Sequence, residues 1–206
     1  MNTNAFKHDP SLGALNNSIT YLNSLHEVPA AMEAKLRWTG VQYTQSFKRG
    51  KLLLQPDMFA SKAYYINSGL VKLYVIGRDG DEDILHIWGE NEVVILGTEF
   101  LEDRLNTRFF IEVMYDCELL VMPKENAVSI FRDFPEAHLL TEMILNRKSR
   151  KRISHMEILM LPPGERYAAM EGVHSEYRHM KLKAKLSEEE LAAFLSVSVA
   201  TISRSK

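Results

Sequence analysis

The chain has 206 residues, 46% apolar and 25% charged, a formal net charge of −2 and a single cysteine, Cys117. These proportions suit a globular protein with one or two buried cores, and they exclude a disulfide framework or a cysteine-rich metal site. No apolar run is long enough to span a membrane and Met1–Pro10 lacks a signal-peptide layout, so a cytoplasmic protein with no membrane partner is expected.

Residues 1–17 are polar and Asn-rich and read as loose. Ile19, Leu22, Leu25, Val28, Met32 and Leu36 then recur at helical spacing around Pro29, which predicts one or two short helices. From Val41 the period falls to two. Val41–Thr44 alternates, Leu52–Leu54 is a short strand, and Tyr64–Asn67 and Leu70–Ile76 flank a Ser68-Gly69 turn. Gly77–Gly80 is a hairpin signal, followed by strands Ile84–Trp88 and Val93–Leu96. Gly97–Asn106 reads as a polar loop, and Phe109–Tyr115 and Glu118–Met122 as the last strands. Short strands with regular turn signals predict an antiparallel barrel or jelly roll, with Cys117 as a buried, inert thiol.

Lys124–Phe131 predicts a short helix, stopped near Phe134-Pro135. Glu136–Leu161 lacks Gly and Pro and predicts one helix of about 39 Å. Within it, Arg147-Lys148-Ser149-Arg150-Lys151-Arg152 reads first as a solvated face; the alternative is that some of these cations face the barrel or a DNA backbone. Pro162-Pro163-Gly164 ends the helix, and Glu165–Glu171 and Tyr177–Lys185 are short helical pieces. Charge divides along the chain: residues 1–144 carry 13 Lys and Arg against 20 Asp and Glu, and residues 145–206 carry 12 against 7. A basic C-terminal part fits contact with phosphates.

Leu186–Lys206 carries the clearest local signal. Ser187 and Glu190 have capping-box spacing, and Leu191, Phe194 and Leu195 give an apolar face. Ser196-Val197-Ser198 is a turn, with Val197 plugging the angle between two helices and Ser198 capping the second. That second helix, from Val199, would bury Ile202. Ser198, Val199, Ala200, Thr201, Ser203 and Arg204 are the candidate DNA-reading residues, with Lys181, Lys183, Lys185 and Lys206 for phosphates.

A jelly roll, a long helix and a helix-turn-helix, in that order, resemble the Crp/Fnr family of bacterial transcription regulators over about residues 40–206. The motifs that carry the likeness are Tyr65–Tyr74, Gly50, Cys117-Glu118, the Phe134-Pro135 step and Leu186–Lys206; Glu165-Arg166-Tyr167 and the Ser-Arg ending make it similar to members found in Bacteroidetes. The resemblance implies an α+β chain: a cyclic-nucleotide-binding-like β-roll with N-terminal helices over 1–135, a long dimerisation helix over 136–161, and a helix-turn-helix DNA-binding domain over 162–206. Double-stranded DNA, a second copy of the chain, a small-molecule effector and RNA polymerase are the implied partners. The sequence given stops where many members add a β-hairpin wing.

In members that bind cyclic AMP, a Glu takes the ribose and an Arg-Ser/Thr-Ala motif takes the phosphate. Here those positions fall on Gly97, with Thr98 and Glu99 beyond it, and on Thr107-Arg108-Phe109, so Arg108 is one place off and on a strand would face the other way. The adenine contacts fall on Arg152-Ile153. Gly97, Thr98, Glu99, Arg104, Thr107, Arg108 and Arg152 are the candidate effector residues, and cyclic AMP is not the expected ligand. No cofactor or metal is expected. The histidines have no ligand spacing, and His86 reads as a hydrogen-bonded barrel histidine. Catalytic motifs are absent, so no enzyme is expected. The alternative to a regulator is a small-molecule-binding β-roll whose helical tail meets protein.

Overall fold

A computed structural model describes residues 10–40, 44–173 and 175–205. Val41–Tyr43, His8, His174 and Lys206 therefore lie outside the described residues. The chain enters helical earlier than its polar start suggests. Helix α1 spans Pro10–Leu25, because Ala14, Leu15 and Ile19 form an apolar stripe that buries against the sheet residues Tyr65 and Leu120. Asn23 accepts the Val28 N–H at 2.9 Å, and α2 (Ala30–Gly40) comes after Pro29 as expected, burying Met32 and Leu36.

The strands β1 (Thr44–Phe47), β2 (Leu52–Leu54), β3 (Met58–Phe59), β4 (Lys62–Ile76), β5 (Glu82–Trp88), β6 (Val93–Val94), β7 (Leu105–Asn106) and β8 (Phe110–Pro123) build the roll. The main sheet has order β1-β8-β4-β5, with β2 also on β8 and β6 also on β4; β3 and β7 form a second, small sheet. The expected turn at Ser68-Gly69 is a bulge instead, and the last two expected strands are one. β4 runs through Ser68-Gly69 and β8 through Asp116-Cys117, antiparallel from Lys62↔Pro123 to Tyr74↔Phe110, with register shifts around Ser68–Leu70. Gly69 has φ +105°, and a Cβ there would lie 2.5 Å from the Asp116 carbonyl oxygen and from Cys117 Sγ, so the bulge requires glycine. Cys117 is buried and its thiol is pushed up to about 12 by burial, as befits an inert group.

The expected polar loop at 97–106 contains helix α3 (Gly97–Leu101) and β7. Phe100 is the cause: it is buried in the roll interior, and one helical turn is what delivers it there. Beyond the roll come α4 (Lys124–Asp133), α5 (Glu136–Met160), α6 (Pro163–Glu171), a 3-10 turn Arg178–Met180, α7 (Leu182–Lys185), α8 (Glu188–Leu195) and α9 (Val199–Ser205). At 25 residues α5 is about 38 Å long. Among the described residues no helix is long and apolar enough to cross a membrane.

Both faces of β4 and β5 are covered. Ile66, Val71 and Trp88 point into the roll, where Val113 and Leu119 meet them. Leu70, Tyr74, Ile84 and Ile87 point outward into a second core, shared with Ile158 of α5 and with Leu191, Phe194, Leu195 and Ile202 of the C-terminal helices. Lys72 on that outer face is held by Glu82 and, at 3.6 Å, by Glu112. The break at Pro162 thus separates elements of sequence but not of core.

Candidate DNA-reading helix and effector cavity

The helix-turn-helix forms by local chemistry. Ser187 Oγ accepts the Glu190 N–H at 3.2 Å while the Glu190 carboxylate accepts the Ser187 N–H at 2.9 Å, closing the capping box. Leu191, Phe194 and Leu195 are fully buried. Ser196 ends α8 in the left-handed region at φ +49°, and Val197 packs into the core beneath the turn. Ser198 Oγ then accepts the Thr201 N–H at 3.2 Å, capping α9. Ile202 is fully buried, whereas Ser198, Val199, Ala200, Ser203 and Arg204 are exposed and Thr201 is half-buried. Arg204 lies back along its helix, its Nε donating to the Ala200 carbonyl at 3.0 Å.

Arg166 accounts for the Glu165-Arg166-Tyr167 motif. Its Nη1 donates to the carbonyls of Leu195 (3.0 Å) and Ser196 (2.8 Å) at the open end of α8, and its Nε to Leu161 (2.9 Å). Three carbonyls share one cation at the junction of α5, α6 and α8. Arg166→Ala is expected to destabilise the chain by about 1.5–3 kcal/mol, read as a lowered urea midpoint. A shift under about 0.5 kcal/mol would contradict this role.

Five of the seven candidate effector residues line one cavity of about 580 Å³ between β5, α3, the start of β8 and α5: Gly97, Thr98, Glu99, Arg108 and Arg152. Arg104 and Thr107 do not. Arg104 is exposed and paired with Glu102 at 2.8 Å, and Thr107 is exposed in the turn before β8. Arg108 reaches the cavity because it precedes β8, so strand alternation does not turn it away. Asn106, fully buried, braces that turn by donating to the carbonyls of Gln55 and Phe109 and accepting the N–H groups of Arg108 and Phe109. Gly97 opens α3 against Leu145 of α5.

His86 and Lys148 also line this cavity; neither is among the candidate effector residues, although the alternative for the basic run lets some of its cations face the barrel. His86 is 2% exposed, and neither ring nitrogen has a hydrogen-bond partner, contrary to the bonded histidine expected. Burial, then the cations Lys151 and Lys148, hold its pKa well below the usual imidazole value, so it is neutral. The cavity therefore joins apolar walls from Leu73, Leu85 and Phe109 and the buried, neutral His86 to a rim of mixed charge, with Arg108, Lys148 and Arg152 against Glu99 and Glu102.

The basic run of α5 is only partly the solvated face expected: Arg147, Arg150 and Arg152 are exposed, while Lys148 and Lys151 turn toward the roll, as the alternative has it. Lys148 donates to the Ile95 carbonyl at 2.9 Å, and Lys151, 2% exposed, grips both carboxylate oxygens of Glu92 at 2.7 and 2.8 Å. Four residues on, His155 stacks on Phe194 of α8 (4.1 Å between centroids, 9° between planes) and bonds its carbonyl at 2.8 Å. One face of α5 thus runs from the cavity to the helix-turn-helix.

Burial pushes the Lys148 ammonium down to about 8 from an ordinary lysine value near 10.5. The depressed group releases its proton from the folded chain first. Between about pH 8 and 10.5 the unfolded chain binds more protons, and stability rises with pH. Lys148→Met is expected to flatten part of that rise and to gain about 1–3 kcal/mol at pH 7, checked by urea melts at pH 7, 9 and 10.5. An unchanged slope would contradict the burial.

This geometry is that of a β-roll joined by a long helix to a helix-turn-helix, and residues 44–134 match the family model of the cyclic nucleotide-binding domain. Over those residues the chain is similar to such domains, and as a whole its fold is like that of solved structures described as Crp/Fnr regulators. It is similar to a candidate Crp/Fnr transcriptional regulator from Eubacterium rectale (17% identity over 92% of this chain and 85% of that one, TM-score 0.69). It is similar too to the c-di-GMP-responsive global regulator CLP from Xanthomonas campestris (18%, 86% and 89%, 0.62) and to FixK2 from Bradyrhizobium japonicum (17%, 79% and 81%, 0.62). No curated protein matches the sequence.

Proposed function

We propose that the chain is a homodimeric, DNA-binding transcription regulator of the Crp/Fnr type, controlled by a small molecule in the 580 Å³ cavity. Residues 1–135 sense, 136–161 pair with a twin, and 162–206 bind DNA. The observation that carries this reading is α8 and α9: a capped helical pair with Ile202 buried and the opposite face, Val199, Ala200 and Arg204, exposed. Such a face fits a major groove.

Pairing is supported by α5. Leu139, Asn146, Ile153 and Met160 are exposed at seven-residue intervals, with Met156 beside them, a spacing that suits the seam of a two-stranded coil. Cyclic AMP is not the effector in this reading, because Gly97 stands where an acid would take the ribose and Phe109 puts bulk where the resemblance implies alanine. One protein of this fold is responsive to c-di-GMP, so the fold admits other effectors.

The test is selection from random duplexes across a salt series. A near-palindrome with half-sites one turn apart, and affinity falling steeply as salt rises, is expected. Weak binding with no consensus, with and without added cell metabolites, would overturn the reading in favour of a tail that meets protein. On the selected duplex Arg204→Ala should weaken binding by about 1–3 kcal/mol, since Arg204 is the strong donor on the exposed face. Unchanged affinity would remove Arg204 from the interface.

A further inference from the structure

A second cavity lies away from the effector cavity, where α1 and α2 cover the sheet. Its volume is about 150 Å³, and its walls come from α1, α2, β4, β8, α3, α4 and α5. Protein interiors are close-packed and spaces much larger than a water molecule are few. Here small residues leave the space: Ala63, Ala127 and Ala137 are all buried on its wall, from three different elements, and a leucine at any of them would occupy it.

The wall offers a ligand little polar chemistry. Ser18 donates its hydroxyl to the Leu15 carbonyl at 2.8 Å, Thr141 to the Ala137 carbonyl at 2.8 Å, and Tyr65 to Asn91 at 2.6 Å. Tyr64 and Tyr65 are neutral phenols, each pushed up to about 12 by burial. Tyr21 adds a third phenol, raised by burial and opposed by the nearby Arg147 guanidinium, and the remaining wall is Ala, Leu, Ile, Val, Met and Phe side chains. A water needs two to four polar partners, which these walls lack, whereas an apolar space of about this volume accepts benzene.

The position gives such a ligand something to act on. Phe100 of α3 and Ile144 of α5 face this cavity, and their chain neighbours Glu99, Leu101 and Leu145 face the effector cavity. The two cavities share α3 and α5 as a partition.

We propose that this cavity is a second ligand site, for a neutral apolar molecule of roughly six to nine heavy atoms, backing onto the effector cavity across α3 and α5. Charge is disfavoured because none of the wall residues is itself charged. The site does not depend on the identity of the effector or on DNA binding.

Calorimetric titration of the full-length chain with toluene, indole and benzoate tests it. Saturable, one-to-one binding of toluene or indole is expected, with benzoate at least tenfold weaker. Ala127→Leu and, independently, Ala63→Leu should each weaken toluene binding at least tenfold while circular dichroism shows a folded chain; two elements supply the blocks in case one variant fails to fold. The proposal is overturned if no neutral probe saturates, if benzoate binds as well as toluene, or if a folded blocked variant binds toluene undiminished.

Discussion

Glu92→Ala is expected to cost the folded chain about 3–5 kcal/mol, the loss incurred when one partner of a buried ion pair is removed. Glu92 is what makes the buried Lys151 tolerable: both carboxylate oxygens lie within hydrogen-bond range of its Nζ, and the same carboxylate accepts the Gly89 N–H at 2.5 Å. The ammonium also meets Met180 Sδ at 3.3 Å and the Tyr177 ring at 5.2 Å, while Glu176 acts on it through space without a hydrogen bond between them, and none of these replaces the bidentate Glu92 contact. Burial already holds the Lys151 pKa below its ordinary value, with Glu92 opposing that shift. Removing Glu92 depresses it further. The unfolded chain then binds more protons across a wider window, and the variant should recover stability as pH rises toward 10. Lys151→Met is the control. It removes the buried charge with similar volume and leaves Glu92, whose side chain is 26% exposed, to water and to Gly89, so it should lie within about 1 kcal/mol of the parent. Urea denaturation at pH 7 separates the two, and equal losses would show that the pair is not what holds this corner together.

Ile153→Asp combined with Met156→Asp is expected to leave the fold intact and to abolish pairing and operator binding together. Both side chains are 55% exposed in the single chain, so neither aspartate disturbs a core. In a paired seam each would bring a charge against its own twin and against apolar neighbours, which costs far more than the seam contributes. A monomer touches one half-site at a time and loses the advantage of linked binding, a factor of about 10²–10⁴. Sedimentation should show the mass halve, and titration of the selected duplex should show affinity fall at least a hundredfold. A variant that remains dimeric would place the interface elsewhere than α5.

What was legible in the sequence was local. Ser187 and Glu190 are three residues apart, Pro29 and Pro162 stop helices through their own rings, and Ile202 is apolar on a polar helix; each signal lies within one turn of its effect. The bulge at Gly69 looks like a turn because a glycine marks the place, and only the partner strand decides between turn and bulge. Lys148 and Lys151 read as solvated because lysine usually is. Their partners, the Ile95 carbonyl and Glu92, stand 53 and 59 residues away, and nothing in the α5 sequence announces them. His86 escaped for the opposite reason: burial was foreseeable, but the absence of a partner is a property of the surrounding cavity. Arg108 was displaced only on the assumption of a strand that begins two residues later.

The core that the C-terminal helices share with the outer face of β4 and β5 bears on how such proteins can be recombined. Leu70, Tyr74, Ile84 and Ile87 meet Leu191, Phe194, Leu195 and Ile202 in one apolar cluster, and Arg49 ties Glu190 to the roll at 2.8 Å. Cutting the chain at Pro162 would bare both halves of that cluster to water, leaving two sticky fragments rather than two modules. A chimera joining this β-roll to a relative's C-terminal helices would have to carry the outward residues of β4 and β5 along with the graft, because the seam, not the linker, is where the two parts recognise each other.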